Sequence, residues 1–333
     1  MQIRLWAPVA ILALLACTGI LTAGWHEDPV QALQVEATSI PMDRSEPARR
    51  QHEALIYRGG LVLRAEHSAF GGFSAMVLDP DGRLHAISDR GSWFTASLEH
   101  GPDGTLTGVG EAQIYPMFGP LRDDADAPLD PEALTQRDGD VYLATEATPT
   151  VLRFAGGRLD APEWLPLPQE MTQALPVNGG IEAMAALPDG TILMAAETLL
   201  TQAGHNQAWL WRDGTVQPLA LDLPQQHRPT AMAALTNGDI LVLLRRFAPL
   251  TGVSIKLGRF SATALAQDAV IAPEILATLR PPINIDNMEG LAVSETATGI
   301  RLYMISDDNF NSLQRTLLLS FDLADESRRV LAP

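Results

Sequence analysis

Five times along the chain, a short apolar run reaches a polar turn that contains Gly, and a second apolar run follows and stops at charged residues. The copies begin at Ser74, Glu132, Glu182, Thr230 and Glu289. Their spacing of 48 to 59 residues indicates a repeat architecture. Apolar runs joined by Asp-Gly or Asn-Gly turns predict β-hairpins. Each copy is therefore expected to be one hairpin.

Each hairpin is followed by more strand-like sequence, for example in 207–211 and 216–221. Four strands in a unit of roughly 40 to 60 residues predict a blade of a β-propeller. The expected fold is all-β, with five blades favoured and six if a degenerate copy lies in 100–130. The last unit ends one strand short, and we expect 54–64 to complete it, because closing the ring removes exposed sheet edges.

The N-terminus predicts export. Arg4 precedes a run from Leu5 to Ala23 that carries no charged residue, the pattern of an export signal. Three outcomes stay open: cleavage near 22–24, lipidation at Cys17, or retention as a membrane anchor. We therefore expect a protein that is exported to the periplasm, or attached to the membrane through this segment and facing the periplasm.

The rest of the chain is predicted to form one domain. After a signal or anchor over 1–24, the segment 25–52 contains three prolines and many polar residues, which favours a linker. The propeller is predicted over 53–333. Cys17 is the only cysteine, so no disulfide can stabilise the exported body. We expect a monomer.

The charge balance limits the partners. Lys and Arg total 23 against 40 Asp and Glu, a net charge of −17. Nucleic acid is excluded as a partner on this ground, because binding a phosphate backbone requires a basic surface. The sequence also contains no G-x-S-x-G, H-E-x-x-H, Walker or dinucleotide-binding pattern, so these hydrolase and nucleotide chemistries are not expected.

Propeller geometry predicts where chemistry collects. The first strand of a blade starts, and the second ends, at the same face, so charged residues at these positions should meet at one mouth of the central channel. Crowded carboxylates need protons, cations or arginines beside them. Ca²⁺ suits an irregular cage of Asp and Glu oxygens, and arginines suit a small anionic substrate such as a phosphate ester. The alternative is that these carboxylates only cap backbone amides or pair with arginines.

Several of these motifs resemble a known family. Gly72-Phe73-Ser74 with 87–91, 130–134, 180–184, and 287–291 with 306–309 are together similar to the phytase-like family, which is named for an esterase-like activity of phytase. The resemblance spans roughly residues 55 to 322. It implies an all-β propeller and a hydrolase that is exported, and it gives no secure catalytic residues.

The candidate site residues are the acidic, arginine and amide positions of these motifs. The catalytic candidates are Glu289, Asp307 and Asp89. The substrate-binding candidates are Arg90, Arg245, Arg246 and Asn309. The metal candidates are Glu132, Glu182, Glu289, Asp307 and Asp308. They predict metal-assisted hydrolysis of an anionic ester; the alternatives are a propeller of the cell envelope that binds a ligand or protein without catalysis, and a lactonase-like sugar hydrolase.

Overall fold

The computed structural model describes residues 30–117, 130–159, 162–212, 214–267, 269–296 and 299–324. The predicted signal or anchor, the lipidation candidate Cys17 and the last nine residues of the chain lie outside this part.

Five sheets form the five blades of a propeller, which confirms the predicted fold class. Blade 1 consists of β5 (Phe73–Leu78), β6 (Leu84–Ser88), β7 (Ser92–His100) and β8 (Leu106–Pro116), with β1 (Gln31–Ala32) at its outer edge. Blade 2 consists of β9 (Pro131–Arg137), β10 (Asp140–Thr145), β11 (Thr150–Phe154) and β12 (Pro162–Leu165). No sixth sheet occurs in the described residues.

The other three blades follow the same antiparallel order. Blade 3 consists of β13 (Ile181–Ala186), β14 (Ile192–Leu200), β15 (Asn206–Arg212) and β16 (Thr215–Leu221), with β20 (Val270–Ile271) outside. Blade 4 consists of β17 (Arg228–Ala234), β18 (Ile240–Ala248), β19 (Gly252–Phe260) and β21 (Glu274–Leu279). Blade 5 consists of β22 (Asn287–Thr296), β23 (Gly299–Asp307), β24 (Thr316–Leu323), β4 (Leu55–Arg64) and β2 (Glu36–Ser39).

The ring closes as predicted, because β4 pairs with β24 in the last blade. Ion pairs reinforce this junction across three strands. Arg58 Nε lies 2.6 Å from Asp322 Oδ2, and Arg301 Nε lies 2.8 Å from Asp322 Oδ1. One carboxylate of β24 therefore binds to arginines of both neighbouring strands.

The segment predicted to be a linker is paired where the structure describes it. From residue 30 to 52 it contains β1, β2 and β3 (Gln51–His52), which pair with β8 and β4. Asp43 helps to fold the intervening turn, since its Oδ1 accepts hydrogen bonds from the Ser45 N–H and hydroxyl at 2.8 and 2.7 Å. The prolines and polar residues of this segment serve turns between short edge strands rather than a free connection.

The core is divided among the gaps between blades. Five apolar layers occur, one in each gap, and blades 1 and 2, for example, enclose Trp93 and Phe154 with their rings 5.6 Å apart. Each inner strand is covered by a blade on both faces, so the layers hold the first strands of all blades at fixed positions around the axis.

Helices contribute little to the described structure. Two six-residue helices, α1 (Gln169–Ala174) and α2 (Ala262–Gln267), and one short 3-10 turn lie between strands. Within the described residues, no helix has the length and apolar character needed to cross a bilayer.

Candidate acidic site at the channel mouth

A β-bulge occurs at the start of the first strand in every blade. The register of β5, β9, β13, β17 and β22 against the second strand skips one residue in each case. The skipped residues are Ser74, Glu132, Glu182, Thr230 and Glu289. A bulge changes the direction of its side chain, and three of these residues, Glu182, Thr230 and Glu289, line the central channel. We call the opening formed by these five positions the acidic mouth.

Two of the five bulged residues join neighbouring blades. Ser74 donates a hydrogen bond to the carbonyl of Pro131 at 2.6 Å, and Thr230 donates to the carbonyl of Met288 at 3.0 Å. The other three are glutamates, whose carboxyls share the mouth.

The channel is nearly closed below the glutamates. Around Met76, Glu182 and Glu289 it narrows to a cavity of about 10 Å³, roughly the space of one water molecule. A separate cavity of about 590 Å³ opens at the opposite end. A ligand of the glutamates therefore has to enter from the mouth.

Three carboxyls on the blade 2 side form a close group. One oxygen each of Asp130, Glu132 and Glu146 lies within 4.8 Å of the others. Glu146 is oriented by backbone, since its Oε1 accepts hydrogen bonds from the N–H groups of Gly179 and Gly180, the latter at 2.7 Å. Asp130 has a left-handed backbone conformation, with φ +52°, and its side chain joins the group. Because all donors are carboxylate oxygens, the group fits a hard cation such as Ca²⁺.

Arg245 connects the other side of the acidic mouth. Its Nη2 lies 3.2 Å from Glu197 Oε1 and 3.4 Å from Glu289 Oε1, and its Nη1 donates to Asn287 Oδ1 at 2.6 Å. The Asn287 amide in turn donates to Glu289 Oε1 at 2.9 Å and to Asp307 Oδ2 at 3.2 Å. Asn287 therefore holds two of the three carboxyls predicted to be catalytic, Glu289 and Asp307, at fixed positions.

Burial and mutual repulsion raise several carboxyl pKa values. The pKa of Glu132 rises through burial and then through the charges of Glu182 and Asp130. Burial and the charge of Glu197 raise the pKa of Glu182 well above its ordinary value. Burial raises the pKa of Glu289 to about 8 although Arg245 lowers it. Without a cation, part of the acidic mouth therefore carries protons at neutral pH.

The corner between blades 1 and 5 adds two more acids. Burial raises the pKa of Asp89, and it raises the pKa of Asp307 to about 6 against a hydrogen bond from the Asn309 N–H. The Arg90 guanidinium lies 3.6 Å above the centre of the Phe310 ring. A cation stacked in this way is held at the rim of the mouth.

The structure brings most of the predicted residues together. Glu132, Glu182, Glu289, Asp307 and Asp89 influence one another's pKa at the acidic mouth, and Arg245 lies among them.

Two predicted residues make fold contacts at the corner between blades 1 and 5, and a third lies on the other face of β18. Asp308 is engaged by the fold, since its oxygens accept from the Gly72 N–H at 2.9 Å and the Thr316 hydroxyl at 2.7 Å. The Asn309 N–H donates to Asp307 Oδ1 at 2.6 Å. Arg246 follows Arg245 on the same strand and therefore lies on its other face.

Sequence reasoning omitted four residues from the candidate site: Asp130, Glu146, Glu197 and Asn287. The signal for the two glutamates was present, because propeller geometry predicts Glu146 beside Glu132 and Glu197 beside Glu182. In the structure Glu146 directly follows β10 and Glu197 lies within β14. Asp130 and Asn287 each lie two residues before a bulged glutamate in the sequence.

Comparison with solved structures gives distant similarity. A gluconolactonase from Xanthomonas campestris is 13% identical, with a TM-score of 0.45 over 88% of this chain and 97% of that one. The allergen Mala s 1 of Malassezia sympodialis is 13% identical, with a TM-score of 0.41 over 86% of this chain and 92% of that one. A Trichoderma reesei protein of carbohydrate-active enzyme family AA12 is 10% identical, with a TM-score of 0.42 over 89% and 98%. At this distance none of them assigns an activity.

Comparison with curated proteins gives no significant match. A family model described as "Phytase-like: Esterase-like activity of phytase" matches residues 68–310. The matched region contains all five bulged residues of the acidic mouth and spans more than half of the chain. The protein therefore belongs to the phytase-like family.

Proposed function

We propose that the protein is an exported hydrolase that binds a divalent cation, Ca²⁺ by preference, at the acidic mouth and cleaves a phosphate ester or another anionic ester there. The observation that carries the proposal is the group of Asp130, Glu132 and Glu146, whose carboxylate oxygens lie within 4.8 Å of one another at the open end of a closed channel.

The donor set supports a cation. Three carboxylates offer up to six oxygens, and Ca²⁺ takes about 6 to 8. Glu146 is already oriented by two backbone N–H groups, so little ordering is required on binding. A bound cation at this position would polarise an ester oxygen and make a nearby water more acidic. Asp130, Glu132 and Glu146 are the residues proposed to hold it, with Glu182 as a further donor.

Asp307 and Glu289 suit a general base and a general acid. With a pKa of about 6, Asp307 is mostly ionised at neutral pH and can accept a proton from water. With a pKa of about 8, Glu289 is mostly protonated and can donate to a leaving oxygen. Two carboxyls whose surroundings separate their pKa values are a common acid–base pair, and Asn287 fixes the distance between them.

Arginines at the rim can bind an anionic substrate. Arg245 and Arg90 approach the mouth from blades 4 and 1, and Arg90 is positioned by its contact with Phe310. Guanidinium groups form charge-assisted hydrogen bonds to phosphate or carboxylate oxygens. Asp89 lies next to Arg90 in the sequence and adds a further carboxyl to this corner. We assign these arginines to substrate binding.

The test is ester hydrolysis with and without metal. Protein purified without chelator is assayed on p-nitrophenyl phosphate and on a panel of carboxylic esters and lactones, with added Ca²⁺ or with EDTA. We expect metal-dependent turnover that Glu289→Gln and Asp307→Asn each lower at least 100-fold, about the contribution of one acid–base group. Glu132→Gln should lower turnover by weakening the cation site. Asp81→Asn, on an exposed turn at the opposite end, should leave turnover unchanged.

The pH profile distinguishes the assigned roles. The rate should rise as Asp307 loses its proton near pH 6 and fall as Glu289 loses its proton near pH 8. Turnover that EDTA does not affect contradicts the proposal. Tight binding of an ester without conversion would favour a ligand-binding propeller, and turnover of lactones alone would favour a lactonase.

A further inference from the structure

The two faces of the propeller differ in their exposed apolar residues. On loops of the face that contains the acidic mouth, Val177, Leu250 and Leu313 are 85%, 99% and 89% exposed. Phe247 and Leu200 on the same face are also exposed. The described hairpin turns of the opposite face, such as 79–83 and 235–239, are Asp-Gly or Asn-Gly turns without an exposed large apolar side chain. The apolar loops therefore belong to one face.

Leu250 stands well above the mouth. The hairpin of β18 and β19 stays paired from Arg245 and Ile255 to Ala248 and Gly252, and Leu250 is in the turn that joins them. Three further paired residues beyond Arg245, at about 3.3 Å each, raise this turn about 10 Å beyond the arginine. We call the exposed side chains of Val177, Leu250 and Leu313 the apolar tips. They lie on separate loops and do not form one groove, so they suit a broad, deformable apolar partner.

Basic side chains lie at the base of the same hairpin. Arg246 is paired with Ser254, two residues from Lys256, which is paired with Thr278. In an antiparallel sheet these positions share one face, and Arg280, the residue directly after β21, is next to this face. Among the described residues, Arg246, Lys256 and Arg280 have no carboxylate partner, in a chain of net charge −17. Cations that have no carboxylate partner and lie below an exposed apolar turn suit lipid phosphates.

The chain also enters the described body near this face. Gln31 in β1 pairs with Ile114, and Ile114 pairs with Phe94, two residues after the start of β7 at the mouth. Since β1 is antiparallel to β8, its N-terminal end points toward the mouth face. The chain before residue 30, which includes the uncharged run 5–23, therefore joins the described body on the mouth side of blade 1.

We propose that the mouth face docks on a lipid bilayer. Val177, Leu250 and Leu313 enter the interface, Arg246, Lys256 and Arg280 contact lipid phosphates, and the acidic mouth opens toward the membrane surface. Apolar side chains that enter the headgroup region, with cations beside them, are typical of proteins that lie on a membrane. This orientation of the propeller on the bilayer does not depend on the proposed hydrolysis.

The first test measures which face meets lipid. Because Cys17 is the only cysteine, Cys17→Ser gives a background for single labels in the full chain. An environment-sensitive fluorophore is placed on Leu250→Cys or Leu313→Cys, and as a matched control on Asp81→Cys at the opposite face, in phosphatidylcholine vesicles. We expect nitroxide lipids to quench the first two labels at least threefold more than the control. Equal quenching at both faces overturns the proposal.

The second test removes the apolar tips. Val177→Asp, Leu250→Asp and Leu313→Asp are combined in the full chain, with the label on Leu200→Cys. Because these side chains are exposed, thermal unfolding should match the parent, and lipid quenching should fall at least fivefold. Unchanged quenching overturns the proposal. A blue shift of the Leu250→Cys label without lipid quenching indicates a protein surface, including a second copy, and also overturns it.

Discussion

Replacing Arg245 with methionine tests whether this arginine offsets the destabilising effect of the carboxyls at the acidic mouth. Its Nη2 lies 3.2 Å from Glu197 and 3.4 Å from Glu289, and its Nη1 donates to Asn287. Methionine fills a similar volume without a charge. The variant therefore leaves two carboxyls near each other without their cation, while the packing changes little.

The expected loss follows from the burial of these partners. Removing one partner of a buried ion pair costs about 3–5 kcal/mol. The Arg245 side chain is 26% exposed and both carboxylates are 14% exposed, so water screens part of the network. We expect the free energy of unfolding to fall by about 2–3 kcal/mol at pH 8.

The loss should depend on pH in a defined direction. The pKa of Glu289 is already raised to about 8 by burial, and Arg245 lowers it, so the variant has a still higher value. Below the unfolded pKa of about 4.3 the carboxyl is protonated in both states, and the penalty is absent. As pH rises, the unfolded chain releases the proton that the folded chain retains, and stability falls in both proteins. The two proteins begin to differ near pH 8, where the parent ionises Glu289 beside Arg245 and the variant still retains the proton. Relative to the parent, the variant should therefore lose less free energy of unfolding at pH 5 than at pH 8.

Urea unfolding followed by tryptophan fluorescence in EDTA measures both effects. Arg246→Met is the matched control, because Arg246 has no carboxylate partner among the described residues and lies on the other face of β18. It should change stability by less than about 0.5 kcal/mol at either pH. Equal losses in the two variants, or a loss for Arg245→Met that is the same at pH 5 and pH 8, would refute the reasoning.

Three further predictions concern the rim, the ring closure and the metal. Gly72→Ala should destabilise the fold by about 1–3 kcal/mol, because a Cβ would lie 2.2 Å from the Phe310 ring at φ +61°; urea unfolding should show a smaller loss for Gly82→Ala, where the space is open. Asp322→Asn should lower the melting temperature at pH 7, and this loss should shrink as the pH falls below the ordinary range of an Asp carboxyl, because the Arg301 and Arg58 hydrogen bonds together outweigh burial and lower the pKa of Asp322, so its contribution disappears only as the folded carboxyl protonates. Since the pKa of Glu132 is raised by burial and by Glu182, Ca²⁺ binding at pH 7 should release about one proton; calorimetry in buffers of different ionisation enthalpy measures this release, and an absence of buffer dependence would contradict it.

The sequence predicted the blades because their signal is local. Asp-Gly and Asn-Gly turns between apolar runs depend on neighbouring residues only, and the missing strand of the last blade could be assigned to 54–64 by counting. The predicted linker shows the limit of this reasoning. Polar and proline-rich residues in 30–52 fit edge strands as well as a free chain, and only the exposed edges of β4 and β8 decide between the two.

The candidate site was predicted in outline, and its details depend on non-local packing. Strand alternation could in principle have separated Arg245 from Arg246. Both faces of β18 are buried, however, from Ile240 to Leu244, so its apolar residues show no period of two that would indicate which arginine faces the channel. The five repeat copies begin at the five bulged residues, but the sequence does not show that these residues bulge, because a bulge is defined by the register between two strands.

The bulges also indicate which residues serve the fold and which serve a ligand. At the same position in each blade, Ser74 and Thr230 join neighbouring blades by hydrogen bonds, whereas burial and Glu197 raise the pKa of Glu182. A carboxyl with a raised pKa destabilises the folded state once the pH exceeds its unfolded value. Glu182→Gln should therefore raise the melting temperature in EDTA at pH 8 and change it little at pH 5, while Asp81→Asn changes it at neither pH. If Glu182→Gln is no more stable than the parent at pH 8 in EDTA, the glutamate does not oppose folding. The contrast with Ser74 and Thr230 would then give no support to a ligand at the acidic mouth.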